Sequence, residues 1–206
     1  MTLRWLLLFF AFGVEARAAS DSALARTEAL VAAFKAVKAP PEGKTLSDAD
    51  RAANKKVFAE LDGYFDYGRI TSDPVAPHKK KFSKAQLSEF AALFREVIRL
   101  VAYTDSGAFL SSATLDIKAG PNKGKRSDVL MHAAVAEDDI ETDVTFHWES
   151  TGGTLRVVDV SFDGASLVAD YKAQFGRIID KDGVTGLIDK IKKKLDEKRK
   201  ENVLAP

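Results

Sequence analysis

VVDVSFDGASLVADYKAQF, Val157 to Phe175, holds a strand, a turn and a helix in one short run. Val158, Val160 and Phe162 alternate with Asp159 and Ser161, and side chains two apart share a face of a strand. Asp163-Gly164 is turn chemistry. Leu167, Tyr171 and Phe175 then recur every four residues, the stripe of a helix. Ser166 invites comparison with a nucleophile elbow, but the chain has no G-x-S-x-G and no histidine follows nearby. A serine just before the first helical residue is an N-cap, whose hydroxyl accepts from an orphan first-turn N–H. The stretch leaves one question open: whether its apolar residues fill a core or line a cleft.

Upstream, the period of two continues. Ala113, Leu115 and Ile117 form one alternating set; Val129, Met131, Ala133 and Val135 form the next. Val144, Phe146 and Trp148 alternate with Thr145, His147 and Glu149. AGPNKGKRS, AEDDIE and ESTGG separate these runs with turn residues. Four strands joined by short turns predict an antiparallel meander with one apolar wall.

Before the strands the period is helical. Leu30, Val31, Phe34 and Val37 mark a first helix over 22–38, and Val57, Phe58, Leu61 and Phe65 a second. DPVAPHKKK reads as a loop. Ser83 caps a third helix to about Tyr103, striped by Phe90, Leu93, Phe94, Val97, Ile98 and Val101. SGAFLSS is a short turn of helix. After Ser166 two helices are expected, over 167–180 and 184–200, with Asp182-Gly183 ending one and starting the other. Runs of helix, then strand, then helix predict an α+β fold. The expected architecture is a four-stranded meander covered on one wall by helices, with an apolar cleft between them.

The first residues are of another kind. Arg4 precedes an apolar run from Trp5 to Val14, and Ala16-Arg17-Ala18 supplies small residues at a cleavage-site spacing. This is the pattern of a secretory leader over 1–18, cut near Ala18. The apolar run is too short to span a bilayer, which takes about 20 residues. Residues 19–206 then form one domain. Losing Arg4, Arg17 and Glu15 takes the formal charge from +1 to zero, which gives nucleic acid no electrostatic footing. The chain has no cysteine. An exported chain without disulfides stands on its own core, and the periplasm is the expected compartment.

No metal or catalytic centre is expected. His78, His132 and His147 are scattered over a loop and two strands, with no H-E-x-x-H. IIDKDGVTGLID approaches a calcium loop, but Ile178 falls where the first carboxylate is needed. GPNKGK lacks the phosphate-loop spacing. Asp159 is the one carboxylate in the opening strand, and a lone aspartate is not a catalytic site. Apolar residues remain, including 13 phenylalanines, and these are the ingredients of an apolar pocket.

The C-terminal third, LRVVDVSFDGASLVADYKAQFGRIIDKDGVTGLIDKIKKKL, resembles the MlaC or toluene-tolerance auxiliary family. The match rests on Arg156, Val157, Asp159, Val160, Gly164, Ser166, Leu167, Val168, Tyr171, Gln174, Phe175, Gly183, Leu187 and Ile188. YFDYGRI and KKFSKAQLSEFAALFREVIRLVAYT resemble earlier family segments, so the similarity spans about 24–195. The resemblance implies a periplasmic phospholipid carrier. It would shuttle lipid between an inner-membrane ABC transporter complex, with its MCE-domain protein, and an outer-membrane lipoprotein complex that maintains lipid asymmetry. It implies no enzyme activity, no cofactor and no nucleic-acid partner, and a monomer. From the facing of the strands and helices, not from a family motif, acyl chains are expected against Phe90, Phe94, Ile98, Val144, Phe146, Val160, Phe162, Tyr171 and Phe175. Lys172, or the basic hairpin Lys123, Lys125 and Arg126, is expected near the head group. A hopanoid or other polycyclic lipid is the alternative cargo. An interaction module with a filled core is the alternative class.

Overall fold

The period-two runs do form one antiparallel sheet in the computed structural model. It describes residues 8–39, 46–137 and 139–201, with side chains from 22 to 199. The expected leader therefore lies outside the described side chains. The strands are β1 (Thr114–Lys123), β2 (Arg126–Val135), β3 (Ile140–Thr151), β4 (Thr154–Phe162) and β5 (Ala165–Ser166), paired in sequence order. The sheet thus has five strands, not the expected four. Asp163 and Gly164 both take positive φ, so the chain doubles back at once. Phe162 then pairs with Ala165 and Ser161 with Ser166 before the helix begins. Pro121 sits in β1, an edge strand, where a missing N–H is tolerated.

A second correction concerns β4 itself. Phe146 lies opposite Val160 and Val144 opposite Phe162, but Trp148 lies opposite Val157. The register slips by one residue between His147 and Trp148. Val158 is the extra residue of a β-bulge, which breaks the alternation there. The wall that continues Val144, Phe146 and Trp148 across β4 is therefore Val157, Val160 and Phe162, without Val158.

Six helices flank the sheet among the described residues: α1 (Leu8–Lys35), α2 (Asp48–Asp62), α3 (Tyr67–Ser72), α4 (Lys84–Ile98), α5 (Thr104–Ser112) and α6 (Leu167–Glu201). None is long and apolar enough to cross a membrane among the described residues. The expected loop DPVAPHKKK is a 3-10 helix, Asp73–Lys81. Its proline near the start costs no hydrogen bond there, since first-turn N–H groups have no partner anyway. Ser83 and Gln86 form a complete capping box at the start of α4. A π-turn, Arg99–Tyr103, carries α4 into α5, so the chain stays helical past Tyr103. Within α6, Gly183 has φ 73° and ψ −179°, which divides the helix at the expected point.

The apolar residues gather in two clusters. The first joins α1, α2 and α5 to the inner face of the sheet through Leu30, Phe34, Phe58, Tyr103, Phe146 and Trp148. The second joins the 3-10 helix, α4 and α6 through Phe82, Phe90, Phe94, Phe175, Leu187 and Ile191. The first is held in register by polar contacts. Trp148 Nε1 donates to Thr27 Oγ1 at 2.9 Å, and the Arg26 guanidinium lies over the Tyr64 and Trp148 rings. Tyr103 donates to Asp62 at 2.9 Å and shares a 2.6 Å hydrogen bond with Tyr67. Arg95 and Arg99 complete the shell of Asp62 at 2.8 and 3.1 Å. Burial pushes the Tyr67 and Tyr103 hydroxyls far above the ordinary phenol pKa, so both remain neutral donors.

Candidate functional site

Along β4 the cover over the inner face runs out. Val157 is fully buried, Val160 half-buried, and Phe162 is 44% exposed. Ile140, on the same face of β3 by parity and at the same end, is 46% exposed. Leu167, just past β5 on α6, is 37% exposed. These three are the exposed large apolar side chains among the described residues, and all lie at one end of the sheet. An isolated exposed apolar residue is ordinary. Three at one rim, two of them on the core-facing side, form the lip of an uncovered wall.

β4 and α6 pack on each other, and the seam between them is edged by half-buried residues of both clusters. Val160 on β4 fringes the sheet cluster, while Tyr171 on α6, with Val97 and Ile98, fringes the helical one. Tyr171 stands one turn past Leu167. Its ring packs on Phe94 at 4.8 Å and on Phe175 at 5.4 Å. Burial raises its hydroxyl pKa, and that hydroxyl has no hydrogen-bond partner among the described residues. A half-buried phenol with an unused O–H offers a ligand oxygen a partner inside an apolar seam.

Asp159 hinges α6 to the sheet. Its carboxylate accepts from Val160 N at 2.8 Å, from Val168 N at 3.1 Å, and from the Ser166 hydroxyl. Ser166 in turn accepts from Ala169 N at 3.0 Å, so it is the N-cap.

The expected contact residues fall into groups. Phe90, Phe94 and Phe175 come together in the helical cluster, with ring centroids 5.0–5.6 Å apart, and all are nearly fully buried. Val144 and Phe146 are buried in the sheet cluster. Ile98, Val160, Tyr171 and Phe162 line the margins and the lip. Lys172 is exposed one residue past Tyr171. Arg126 lies at the far end of the sheet, its Nε 3.1 Å from Asp128, and Lys123 and Lys125 are exposed beside it. The sequence reading missed Ile140 and Leu167, whose exposure depends on where the helices stop.

It also missed a polar row across the sheet. His147 Nδ1 is 2.7 Å from Asp128 Oδ1, and His147 Nε2 is 2.8 Å from Ser161 Oγ. The order matches that of a hydrolytic triad. The surroundings do not. Ser161 is 6% exposed and His147 7%, and the nearby α6 first-turn amides of Val168 and Ala169 are already taken. Without access to the hydroxyl or free donors for an oxyanion, the row is a satisfied hydrogen-bond network that ties β2, β3 and β4.

The MlaC protein family model matches residues 29–193. The chain belongs to the MlaC family. Comparison with curated protein sequences gives no match. Among solved structures, this MlaC chain is similar to a phospholipid-binding protein from Ralstonia solanacearum, solved in complex with a phospholipid. The two share 17% identity at a TM-score of 0.62, over 88% of this chain and 97% of the other. At that identity the likeness speaks to the fold.

Proposed function

We propose that this protein is a non-enzymatic carrier that holds a phospholipid with its acyl chains in the seam and its head group at the lip. The observation that carries this is the uncovered end of the inner wall at Ile140, Phe162 and Leu167. Membership of the MlaC family and the fold shared with a phospholipid-binding protein support it. Tails enter between β4 and α6, against Val160, Ile98 and Tyr171, and the deeper phenylalanines repack around them. The Tyr171 hydroxyl and Lys172 face the ester and phosphate region. Each buried CH₂ is worth about 0.8 kcal/mol, so two acyl chains need an apolar site as good as the bilayer they leave. Matching that site closely lets lipid move with little net change in free energy. The chain works in the periplasm after loss of its leader. It exchanges lipid with an inner-membrane ABC transporter complex, including an MCE-domain protein, and with an outer-membrane lipoprotein complex.

The test is lipid extraction from the mature protein purified from a bacterial host, read by mass spectrometry. Near-stoichiometric phospholipid is expected. Protein that comes out empty and takes no lipid from vesicles sinks the proposal. Phe162→Asp, at an already exposed position, should lower retained lipid several-fold, whereas Lys193→Glu on the solvated face of α6 should not. Equal retention in the two variants moves the site away from the lip.

A further inference from the structure

The 3-10 helix and the start of α4 meet in an elbow on the helical side of the molecule. A groove of about 620 Å³ lies along it, with Pro77, Phe82 and Leu87 as its apolar base and Lys79, Lys80 and Lys84 around it. The neighbouring Lys81 is paired with Asp180 at 2.8 Å. Lys79, Lys80 and Lys84 have neither ion pair nor hydrogen-bond partner among the described residues, and no acidic side chain lines the groove. The chain as a whole carries only +1, so three unpaired cations around one groove are a local excess. The base is firm: Phe82 is 8% exposed and its ring packs on Phe90 at 5.9 Å.

We propose that this elbow is where the protein touches the surface of an anionic lipid bilayer. Charge complementarity sets the sign of the partner, and residue choice sets its class. Protein–protein interfaces favour arginine and aromatic anchors and are depleted in lysine. This groove has no arginine, and its one aromatic is turned into the core. Lysines are flexible point charges with apolar stems, suited to a mobile layer of phosphodiester head groups. Three of them give weak, salt-sensitive, reversible contact. The elbow packs on α6 near Gly176 and Asp180, well along the helix from the lip at Leu167. Contact here leaves the lip open.

The test is co-sedimentation of the full mature chain with vesicles of phosphatidylcholine alone or containing phosphatidylglycerol. Binding is expected only with phosphatidylglycerol, fading as salt rises. Lys79→Gln, Lys80→Gln and Lys84→Gln together should lower the partition coefficient about a hundred-fold, roughly five-fold per lysine, with an unchanged thermal melt. Wild-type protein that ignores the anionic vesicles overturns the proposal, as does a triple variant that binds like wild type. Retention on immobilised poly-glutamate but not on vesicles assigns the groove to an acidic protein and also overturns it. Lipid held in the seam is measured separately on the same preparations, so failure of either proposal is distinguishable from failure of the other.

Discussion

The sheet side and the helical side of this molecule are held by different kinds of contact. On the sheet side, aromatic burial is pinned by directional bonds: Trp148 to Thr27, Tyr103 to Asp62, and the backbone exchange of residues 64–66 with Val157. On the helical side, Phe82, Phe90, Phe94, Tyr171 and Phe175 pack ring against ring. Every buried polar side chain among the described residues lies outside the 3-10 helix, α4 and α6. Directional bonds select one arrangement, because a buried donor left unmatched costs about 1–3 kcal/mol. Ring packing without such bonds tolerates rearrangement at lower cost. For the proposed carrier, the difference assigns roles to the two walls: the sheet would be the fixed template, and α4 with α6 the wall that yields to an acyl chain.

The largest expected effect breaks this contrast most directly. Trp148→Ala should destabilise by about 4 kcal/mol, because it leaves a large cavity and strands the Thr27 hydroxyl. Phe94→Ala removes a side chain buried almost as deeply, yet should cost only about 3 kcal/mol as the Phe90, Tyr171 and Phe175 rings move in. Chemical denaturation of both variants measures this. If Phe94→Ala costs as much as Trp148→Ala, the helical wall is as rigid as the sheet and does not yield.

How far the sequence reveals this arrangement depends on the range of the interaction involved. The meander, the Ser83 and Ser166 caps and the Gly183 break are local, and each is legible from spacing or one turn residue. The bulge at Val158 is not, because Val158, Val160 and Phe162 alternate cleanly without it, and only pairing with the partner strand puts Val157 on their wall instead. The Asp128, His147 and Ser161 row needs the register of three strands, so no window of sequence contains it. For the site, the apolar stripes are visible, but which of their members lack a covering partner is not. Phe90 and Phe162 read alike in sequence; one is sealed by other rings and the other stands at the lip.

A middle-sized effect sharpens the comparison at the hinge. Asp159 is the polar tie between β4 and the first turn of α6. Asp159→Ala strands the Val168 amide and the Ser166 hydroxyl, and should cost about 2 kcal/mol. The loss should be local. Amide hydrogen exchange should quicken over 167–175 while the amides of β2 and β3 keep their protection. Equal quickening in the sheet would mean that the two sides unfold as one unit and that the hinge divides nothing.

The smallest effect tests what else holds the helical side. Its cross-element ties include exposed ion pairs: Lys81–Asp180 at 2.8 Å, Lys192–Glu89 at 2.7 Å and Arg199–Glu96 at 2.7 Å. The hydrogen bond from Lys81 holds the Asp180 carboxyl below the usual carboxylate range, and Glu89 holds Lys192 above the usual lysine range. A depressed carboxyl contributes above its unfolded pKa, about 3.9, and loses that contribution as pH falls through its folded value. A raised lysine contributes below its unfolded pKa, about 10.4, and loses that contribution as pH rises through its folded value. Both contributions are in place between those limits, so the melting temperature should be nearly flat there with respect to these groups. Exposed pairs contribute little, so Asp180→Asn with Lys192→Gln should shift the neutral-pH melt by no more than about a few degrees, and less in high salt. The double variant should also lack the share of the acid-side and alkaline-side losses that these two groups give wild type. A large neutral-pH loss that persists in high salt would mean that directional bonds do fasten α6 to its neighbours. The helical wall would then be pinned as the sheet is, with ion pairs in place of buried polar groups.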